Sequence, residues 1–302
     1  MLVNASENNH TESISILKIV NVQDIPGIVK RGFDLIGAPK LSSDDRVVIK
    51  PNLCAIKAPE TGTTTDPRVV EGIIRYLSDE FGITDIYIVE SNGTQVVADM
   101  AFKLLGYERL SKRLDVKLVN LSKSPFSINF FPNNAFLKEI KIPTIMEKAD
   151  FFISVPKIKT HDSCSFTATL KNQYGCNPYP RKAIYHKRLH DAIVDLNVAF
   201  KPDLVVVDGI VAMEGSGPID GIPVKMNILI FAKDPVAVDH LIARIMGINP
   251  NSVRYLVEAQ RRGVGTTNYK TIGRSPKEHE RKFRTNPHPR LYNLYGLLAR
   301  RH

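Results

Sequence analysis

The sequence lacks both a long apolar segment and a secretion signal. None of its hydrophobic runs approaches the roughly 20 residues that a membrane-spanning helix needs. The first residues, MLVNASENNHTES, have neither a basic start nor an apolar centre, and therefore do not resemble a secretion signal. We expect a cytoplasmic protein without a membrane partner, and a disordered N-terminal tail over residues 1–13.

Cysteine is scarce, with three in the chain and no C-x-x-C pair. This excludes a disulfide scaffold and fits a reducing compartment. Cys54, Cys164 and Cys176 are all predicted near one edge of the fold, where three thiolates could hold a metal ion or an iron–sulfur cluster. The alternative is that they are small buried residues. His186 and His190 are four residues apart, a spacing that places both on one helix face and can bind metal.

The sequence also lacks the glycine-rich motifs of nucleotide sites. No G-x-G-x-x-G follows a predicted strand, and there is no P-loop lysine motif, so a standard dinucleotide or nucleoside triphosphate site is not expected. The formal net charge is +10, and many of the basic residues lie near the C-terminus. This charge favours anionic partners. Nucleic acid is one such partner, but no recognised nucleic-acid-binding module is present.

Short apolar runs alternate with amphipathic segments along most of the chain, which predicts parallel βαβ units. The clearest predicted strands are Val47–Ile49, Ile86–Val89, Phe151–Val155 and Leu204–Val207. Asp66 and Asp234 each precede a proline and predict capped helix starts. We predict an α/β fold over residues 14–265, with a mainly parallel sheet and helices on both faces. The pattern breaks near residues 120–142, which indicates an irregular insertion or a second lobe beside a cleft. Residues 266–302 are predicted to form a basic extension outside the folded core.

Polar side chains recur directly after several predicted strands. Lys50 and Asn52 follow one strand, Lys157–His161 follow another, and Asp208 follows a third. In an open α/β sheet, ligands bind outside the carboxyl ends of the parallel strands. The sequence therefore predicts a site at this edge of the sheet.

The predicted site has an anion-binding part and a catalytic part. Lysine is a mobile point charge that suits phosphate or carboxylate, and the threonines precede a helix N-terminus that favours anions. Helix capping is the alternative role for Thr65. The candidate anion-binding residues are Lys50, Asn52, Lys159, Thr160, Lys171, Asn172, Thr64 and Thr65. The candidate catalytic residues are His161, Lys157, Asp208 and Glu214, with His161 as acid or base and a carboxylate to orient it. A structural, hydrogen-bonded His161 is the alternative.

Several of these motifs carry a resemblance to a known family. VPKIKTH followed by TLKNQYGC, together with VVIKPNL, VVVDGIVAMEGSGP and AKDPVAVDHLIARIMG, resembles the domain-of-unknown-function family 362. The resemblance spans roughly Ile16 to Gly265. Some members of that family carry an appended ferredoxin-like module, which this chain lacks because it has no C-x-x-C-x-x-C run. The predicted fold also looks distantly similar to that of nickel-dependent lactate racemases.

These observations favour an enzyme that acts on a small carboxylate or phosphate substrate by lysine and histidine acid–base chemistry. Two alternatives stay open. One is a metal- or iron–sulfur-dependent redox protein that uses the three cysteines. The other is a non-catalytic nucleic-acid binder that uses the basic C-terminus. The sequence does not name a cofactor.

Overall fold

A computed structural model describes residues 11–179 and 181–285 of the chain. Most of the N-terminal tail predicted over residues 1–13 lies outside the described residues, as does the basic C-terminus beyond residue 285. The described strands are β1 (Glu12–Lys18), β2 (Val47–Pro51), β3 (Ile86–Glu90), β4 (Lys117–Asn120), β5 (Phe126–Phe130), β6 (Glu139–Pro143), β7 (Phe151–Val155), β8 (Lys157–His161), β9 (Ser165–Thr167), β10 (Leu204–Glu214), β11 (Ile222–Ala232) and β12 (Tyr269–Gly273).

Helices lie between most of these strands. They are α1 (Ile25–Leu35), α2 (Pro67–Phe81), α3 (Ala98–Leu104), α4 (Tyr107–Leu114), α5 (Thr144–Glu147), α6 (Thr169–Asn172), α7 (Leu189–Ala199), α8 (Pro235–Ile245) and α9 (Arg254–Arg261). A 3-10 helix, Lys182–Arg188, precedes α7. Within the described ranges, no helix has the length and apolar character that a bilayer crossing requires.

Ten of the described strands form one mixed sheet in which parallel pairs predominate. The main path runs β12-β1-β11-β10-β7-β2-β3-β4, and β8 pairs with both β10 and β9. The neighbours β10, β7, β2, β3 and β4 are all parallel, whereas β11 is antiparallel to both β1 and β10. The prediction of an α/β fold with a mainly parallel sheet is confirmed.

Two separate apolar cores cover the two faces of this sheet. Helices α1 to α4 bury side chains such as Val29, Ile73 and Phe102 in one core. Helices α7, α8 and α9 bury Ile193, Leu241 and others in the second core. Because the central strands are covered on both sides, they read as continuous apolar runs in the sequence. The predicted placement of helices on both faces is confirmed.

Two aspartates cap the helices that they were predicted to start. The Asp66 carboxylate accepts a hydrogen bond from Arg68 N at 2.9 Å, and Pro67 is the first residue of α2. The Asp234 carboxylate accepts hydrogen bonds from Val236 N and Ala237 N, both at 2.8 Å. Each such cap typically contributes about 1 kcal/mol.

The domain boundary predicted at residue 265 is not present in the structure. Strand β12 pairs in parallel with β1, and Phe283 is buried in the second core. The backbone nitrogen of Phe283 also donates to the carbonyl of Met246 at 3.0 Å. The described part of the predicted extension is therefore integrated with the main sheet.

The irregular region near residues 120–142 contains a small sheet of its own. Strand β5 pairs with β6 in an antiparallel, two-stranded sheet. A cavity of about 270 Å³ lies beside it and is lined by Phe131, Phe152 and Phe200 among others. Phe152 is at the amino end of β7, so this cavity is at the opposite end of the strands from the predicted site.

Candidate functional site

The structure places the polar residues that follow β2, β3 and β7 at one edge of the sheet, as their parallel arrangement requires. Lys50, near the end of β2, is 1 % exposed. Its ammonium group donates to Glu90 Oε2 at 2.9 Å, to the Pro51 carbonyl at 2.9 Å and to Asn172 Oδ1 at 3.3 Å. Glu90 ends the neighbouring strand β3. This ion pair is therefore a direct product of the β2–β3 register.

The residues Lys157–His161, which were predicted to follow a strand, themselves form strand β8. Lys157 lies opposite Asp208 of β10, and its Nζ is 3.1 Å from Asp208 Oδ2. Both side chains are fully buried, and in the described part of the chain no acceptor has hydrogen-bond geometry with this ammonium. Asp208 also accepts hydrogen bonds from Asp66 N and Ile210 N. Burial raises the pKa of Asp208. This carboxylate ties the start of α2 to the sheet.

Lys159 lies two residues further along the same face of β8. Its ammonium donates to Asn52 Oδ1 at 2.8 Å, to the Thr63 carbonyl at 2.9 Å and to Cys54 Sγ at 3.2 Å. The side chain is buried, and its burial lowers the pKa of Lys159 below the usual lysine value. Lys159 thus has polar neighbours, and none of the described carboxylates forms an ion pair with it.

Two further lysines complete the group. Lys182 donates to Ser91 Oγ and, at 2.9 Å, to the Asn92 carbonyl. Lys171 is partly exposed, and its ammonium lies 3.7 Å from the centre of the Tyr174 ring. Burial lowers the pKa of both lysines to about 8. Lys182 was not predicted as a site residue, because it lies in a basic stretch that reads as the start of a helix.

These five side chains interact electrostatically with one another, and we call them the lysine cluster. Its members are Lys50, Lys157, Lys159, Lys171 and Lys182. Lys50 and Lys157 each contact one carboxylate, from Glu90 and Asp208 respectively. Within the described ranges, the other three have no carboxylate within the 4.0 Å of an ion pair. Among the described residues, the cluster therefore has more lysine side chains than carboxylates, in a largely buried place where an unpaired charge is costly.

His161 follows Lys159 at the end of β8 and faces the same group of charges. Ser163 N donates to His161 Nδ1 at 3.1 Å, so the proton of the neutral ring is on Nε2. Burial, and secondly the charge of Lys171, hold the pKa of His161 well below its usual value. The ring is therefore neutral at pH 7 and presents an N–H donor.

The predicted threonines contact the protein backbone. Thr65 Oγ1 donates to the Val155 carbonyl at 2.7 Å and accepts from Asn52 N at 2.8 Å. Thr64 Oγ1 donates to a carbonyl in the preceding loop, and Thr160 Oγ1 donates to the Gly215 carbonyl. The two asparagines do join the cluster, since Asn52 Nδ2 donates to Asn172 Oδ1 at 3.1 Å.

Glu214 is the last residue of β10, next to Met213, which lies opposite Lys159 of β8, but its carboxylate contacts the C-terminal segment. Its buried carboxylate is 3.4 Å from the Arg281 guanidinium and 3.5 Å from that of Arg284. It also accepts a hydrogen bond from the Arg284 backbone. These contacts are with the C-terminal segment. Among the described residues, Glu214 has no hydrogen bond or ion pair with His161, which a carboxylate from Asp208 or Glu214 was predicted to orient.

The candidate metal ligands do not come together. Among residues 11–179 and 181–285, no group of three or more His, Cys, Asp or Glu side chains is placed to hold a metal ion. Cys54 is beside Lys159, whereas Cys164 and Cys176 are buried thiols whose pKa burial raises to about 12. The structure therefore does not form the predicted three-thiolate site.

The predicted histidine pair does not share a helix face either. His186 is in the 3-10 helix, whereas His190 is in α7. A 3-10 helix has three residues per turn, so the four-residue spacing of an α-helical pair does not apply. The ring of His190 stacks on Tyr255.

Comparisons with known proteins identify relatives of this chain. A thylakoid-associated protein of Synechocystis is 28% identical over 230 residues, which cover 74% of this chain and 70% of the relative. Among solved structures, the lactate racemase apoprotein from Thermoanaerobacterium thermosaccharolyticum matches with a TM-score of 0.46 and 11% identity. That match covers 79% of this chain, and the chain spans 57% of the racemase. The model of the family described as "Domain of unknown function (DUF362)" matches residues 47–244, more than half of the sequence, and the chain therefore belongs to the DUF362 family.

Proposed function

We propose that this protein is an enzyme that binds a small carboxylate or phosphate at the lysine cluster and transfers a proton there. The observation that carries the proposal is the imbalance of buried charge. Five lysine side chains lie together near the carboxyl ends of the strands, and within the described part of the chain only Glu90 and Asp208 form ion pairs with any of them. Burying an unpaired charge is costly, and a bound anion offsets that cost.

Burial also increases the strength of each interaction with such an anion. Charges attract more strongly in a medium of low effective dielectric constant than in water. Lys159 lies in the interior, and Lys171 is partly exposed beside it. An anion that enters past Lys171 can interact electrostatically with Lys159 without first displacing a carboxylate.

Two groups of the site are suited to proton transfer near neutral pH. The pKa values of Lys171 and Lys182 are about 8, close to the range in which a general acid or base works well. His161 has a different role, because its lowered pKa keeps it neutral. In the proposed mechanism its Nε2–H donates a hydrogen bond to a substrate oxygen that gains negative charge.

A binding experiment tests this proposal. Phosphate, malonate and succinate are titrated by calorimetry into the parent protein, Lys159→Met and Lys171→Met. Loss of one cation from a partly desolvated charge pair typically costs about 2–5 kcal/mol, or very roughly 30- to 4000-fold in affinity. Lys112→Met is the matched control, because Lys112 is exposed on α4, outside the cluster, and should bind like the parent.

The outcomes are distinct. Loss of binding in both cluster variants, with thermal unfolding of Lys171→Met close to the parent, supports the proposal. If a bound anion is found and both cluster variants retain the parent affinity, the lysine cluster is not the site.

A further inference from the structure

We infer that Lys171 forms an imine with its substrate, so that the anion bound at the lysine cluster is a small oxo acid, a carboxylate that also carries a ketone or aldehyde group. The inference rests on the proposed function and specifies its substrate class. It depends on what distinguishes Lys171 from the other four lysines.

Judged by the described residues, Lys171 is the lysine of the cluster that is partly exposed and has no polar partner. Among the described residues, its ammonium has no hydrogen bond, and its contact is with the face of the Tyr174 ring. By contrast, the ammonium groups of Lys50 and Lys159 each donate to three acceptors, and Lys182 donates to two. Lys157 is fully buried against Asp208. An amine that attacks a carbonyl carbon needs a free lone pair and access to solvent.

The surroundings of Lys171 also favour the neutral amine. Its pKa is lowered to about 8, chiefly by burial and further by the charges of Lys159 and Lys50, whereas Cys164 and Cys54 act in the opposite direction. A group with this pKa is roughly one tenth neutral at pH 7. Desolvation and a neighbouring cation are the usual means by which a protein activates a lysine for imine formation.

The positive charge of the lysine cluster attracts the carboxylate group of such a substrate. Lys159 has no carboxylate partner among the described residues, and its positive charge acts on both Lys171 and His161. A substrate carboxylate near Lys159 would place an adjacent carbonyl group within the same small region. His161 Nε2–H can then donate a hydrogen bond to the carbonyl oxygen.

The step itself needs no other reactant. Nζ of neutral Lys171 attacks the carbonyl carbon, a C–N bond forms, and the carbon–oxygen π electrons move to oxygen. The two protons of the amine leave with that oxygen as water, and a C=N bond replaces C=O. The imine nitrogen then takes up a proton from water, which makes a proton on the adjacent carbon more acidic and agrees with the proposed proton transfer.

Borohydride trapping tests the inference. The parent protein is mixed with pyruvate or 2-oxoglutarate, reduced with sodium borohydride, and analysed by intact mass and peptide mapping. We expect a stable secondary amine at Lys171 whose mass corresponds to the oxo acid after loss of its carbonyl oxygen. The corresponding hydroxy acids, lactate and 2-hydroxyglutarate, should give no adduct because they have no carbonyl group.

The key variant is Lys171→Arg. Arginine keeps the positive charge but does not form an imine under these conditions. We expect it to bind the oxo acid within about tenfold of the parent, as judged by calorimetry, and to give no adduct. Lys182→Arg should still be labelled at Lys171.

Three outcomes separate this inference from the proposed function. An adduct at Lys171 that Lys171→Arg abolishes supports the inference. Tight binding of an oxo acid without an adduct overturns the inference and leaves the proposed anion site intact. If neither oxo acid binds or is trapped while phosphate or malonate binds at the cluster, the substrate class is wrong and the anion site again stands.

Discussion

Replacement of Lys50 by methionine should strongly destabilise the protein. Lys50 and Glu90 form an ion pair whose side chains are 1% and 7% exposed. Lys50→Met preserves much of the side-chain volume but leaves the Glu90 carboxylate buried without its cation. Loss of one partner from a buried pair typically costs about 3–5 kcal/mol. Glu90 keeps its hydrogen bonds from Ser91 N and Leu53 N, so we expect the lower part of that range.

Urea unfolding monitored by circular dichroism measures this effect. The transition midpoint should fall in Lys50→Met with little change in the slope of the free energy of unfolding against urea concentration. A second substitution, Glu90→Gln, removes the negative charge that Lys50→Met leaves without a partner. The double variant should be about 0.5–3 kcal/mol more stable than the sum of the two single changes predicts.

The control is a surface ion pair in the same protein. Lys30 pairs with Glu80 on the exterior, where the side chains are 49% and 39% exposed. Exposed pairs usually contribute about 0–1 kcal/mol, so Lys30→Met should have a small effect. If Lys50→Met is no more destabilising than Lys30→Met, then the Lys50–Glu90 pair is not held in the interior as described, and the charge argument for the site fails with it.

Three further predictions concern other parts of the fold. Burial raises the pKa of Asp239 to about 7, so the folded state keeps this proton at pH values where the unfolded chain has lost it. The free energy of unfolding should therefore fall by about 4 kcal/mol between about pH 4 and pH 7. Asp239→Asn should remove this dependence on pH, as measured by urea titrations at several pH values. Gly175→Ala should cost about 1–3 kcal/mol in the same assay, because a Cβ atom there would lie 2.6 Å from Glu90 Oε1 and from Lys50 Cε, and a neutral substitution would contradict this packing. Deletion of residues 266–302 should lower the midpoint of thermal unfolding by several degrees, since it removes β12 and the buried Phe283; an unchanged midpoint would show that this segment adds nothing to the core.

The parallel core could be predicted because its sequence signals are local and strong. The apolar run of β7 and the Asp-Pro pair at the start of α2 each arise from physics within a few residues. Strand β8 was harder, because the sequence KIKTH has too few apolar residues to show the two-residue period clearly. Its strand character comes from pairing with β10 and β9, which no local pattern encodes.

The site was predictable to a similar extent. The position of Lys50 and Lys159 at the strand ends follows from the direction of parallel strands. The burial of Lys182 did not follow, because its ammonium is fixed by Ser91 and Asn92, which are about 90 residues away in the chain. Strand β12 was missed for a related reason: YKTIG is short and half exposed, so it carries little periodicity of its own.

The junction between β7 and β8 has a consequence for how this protein can change over evolution. A single residue, Pro156, separates the two strands, and the next residue with a side chain in the cluster is Lys157. Side chains alternate between the two faces of a strand, so the insertion or deletion of one residue here would turn both Lys157 and Lys159 to the opposite face if the rest of β8 kept its place. The length of this connection is therefore as strict a requirement for the proposed site as the identity of its lysines, and a homologue that differs in length here would be expected to have lost the proposed anion site even if every lysine were retained.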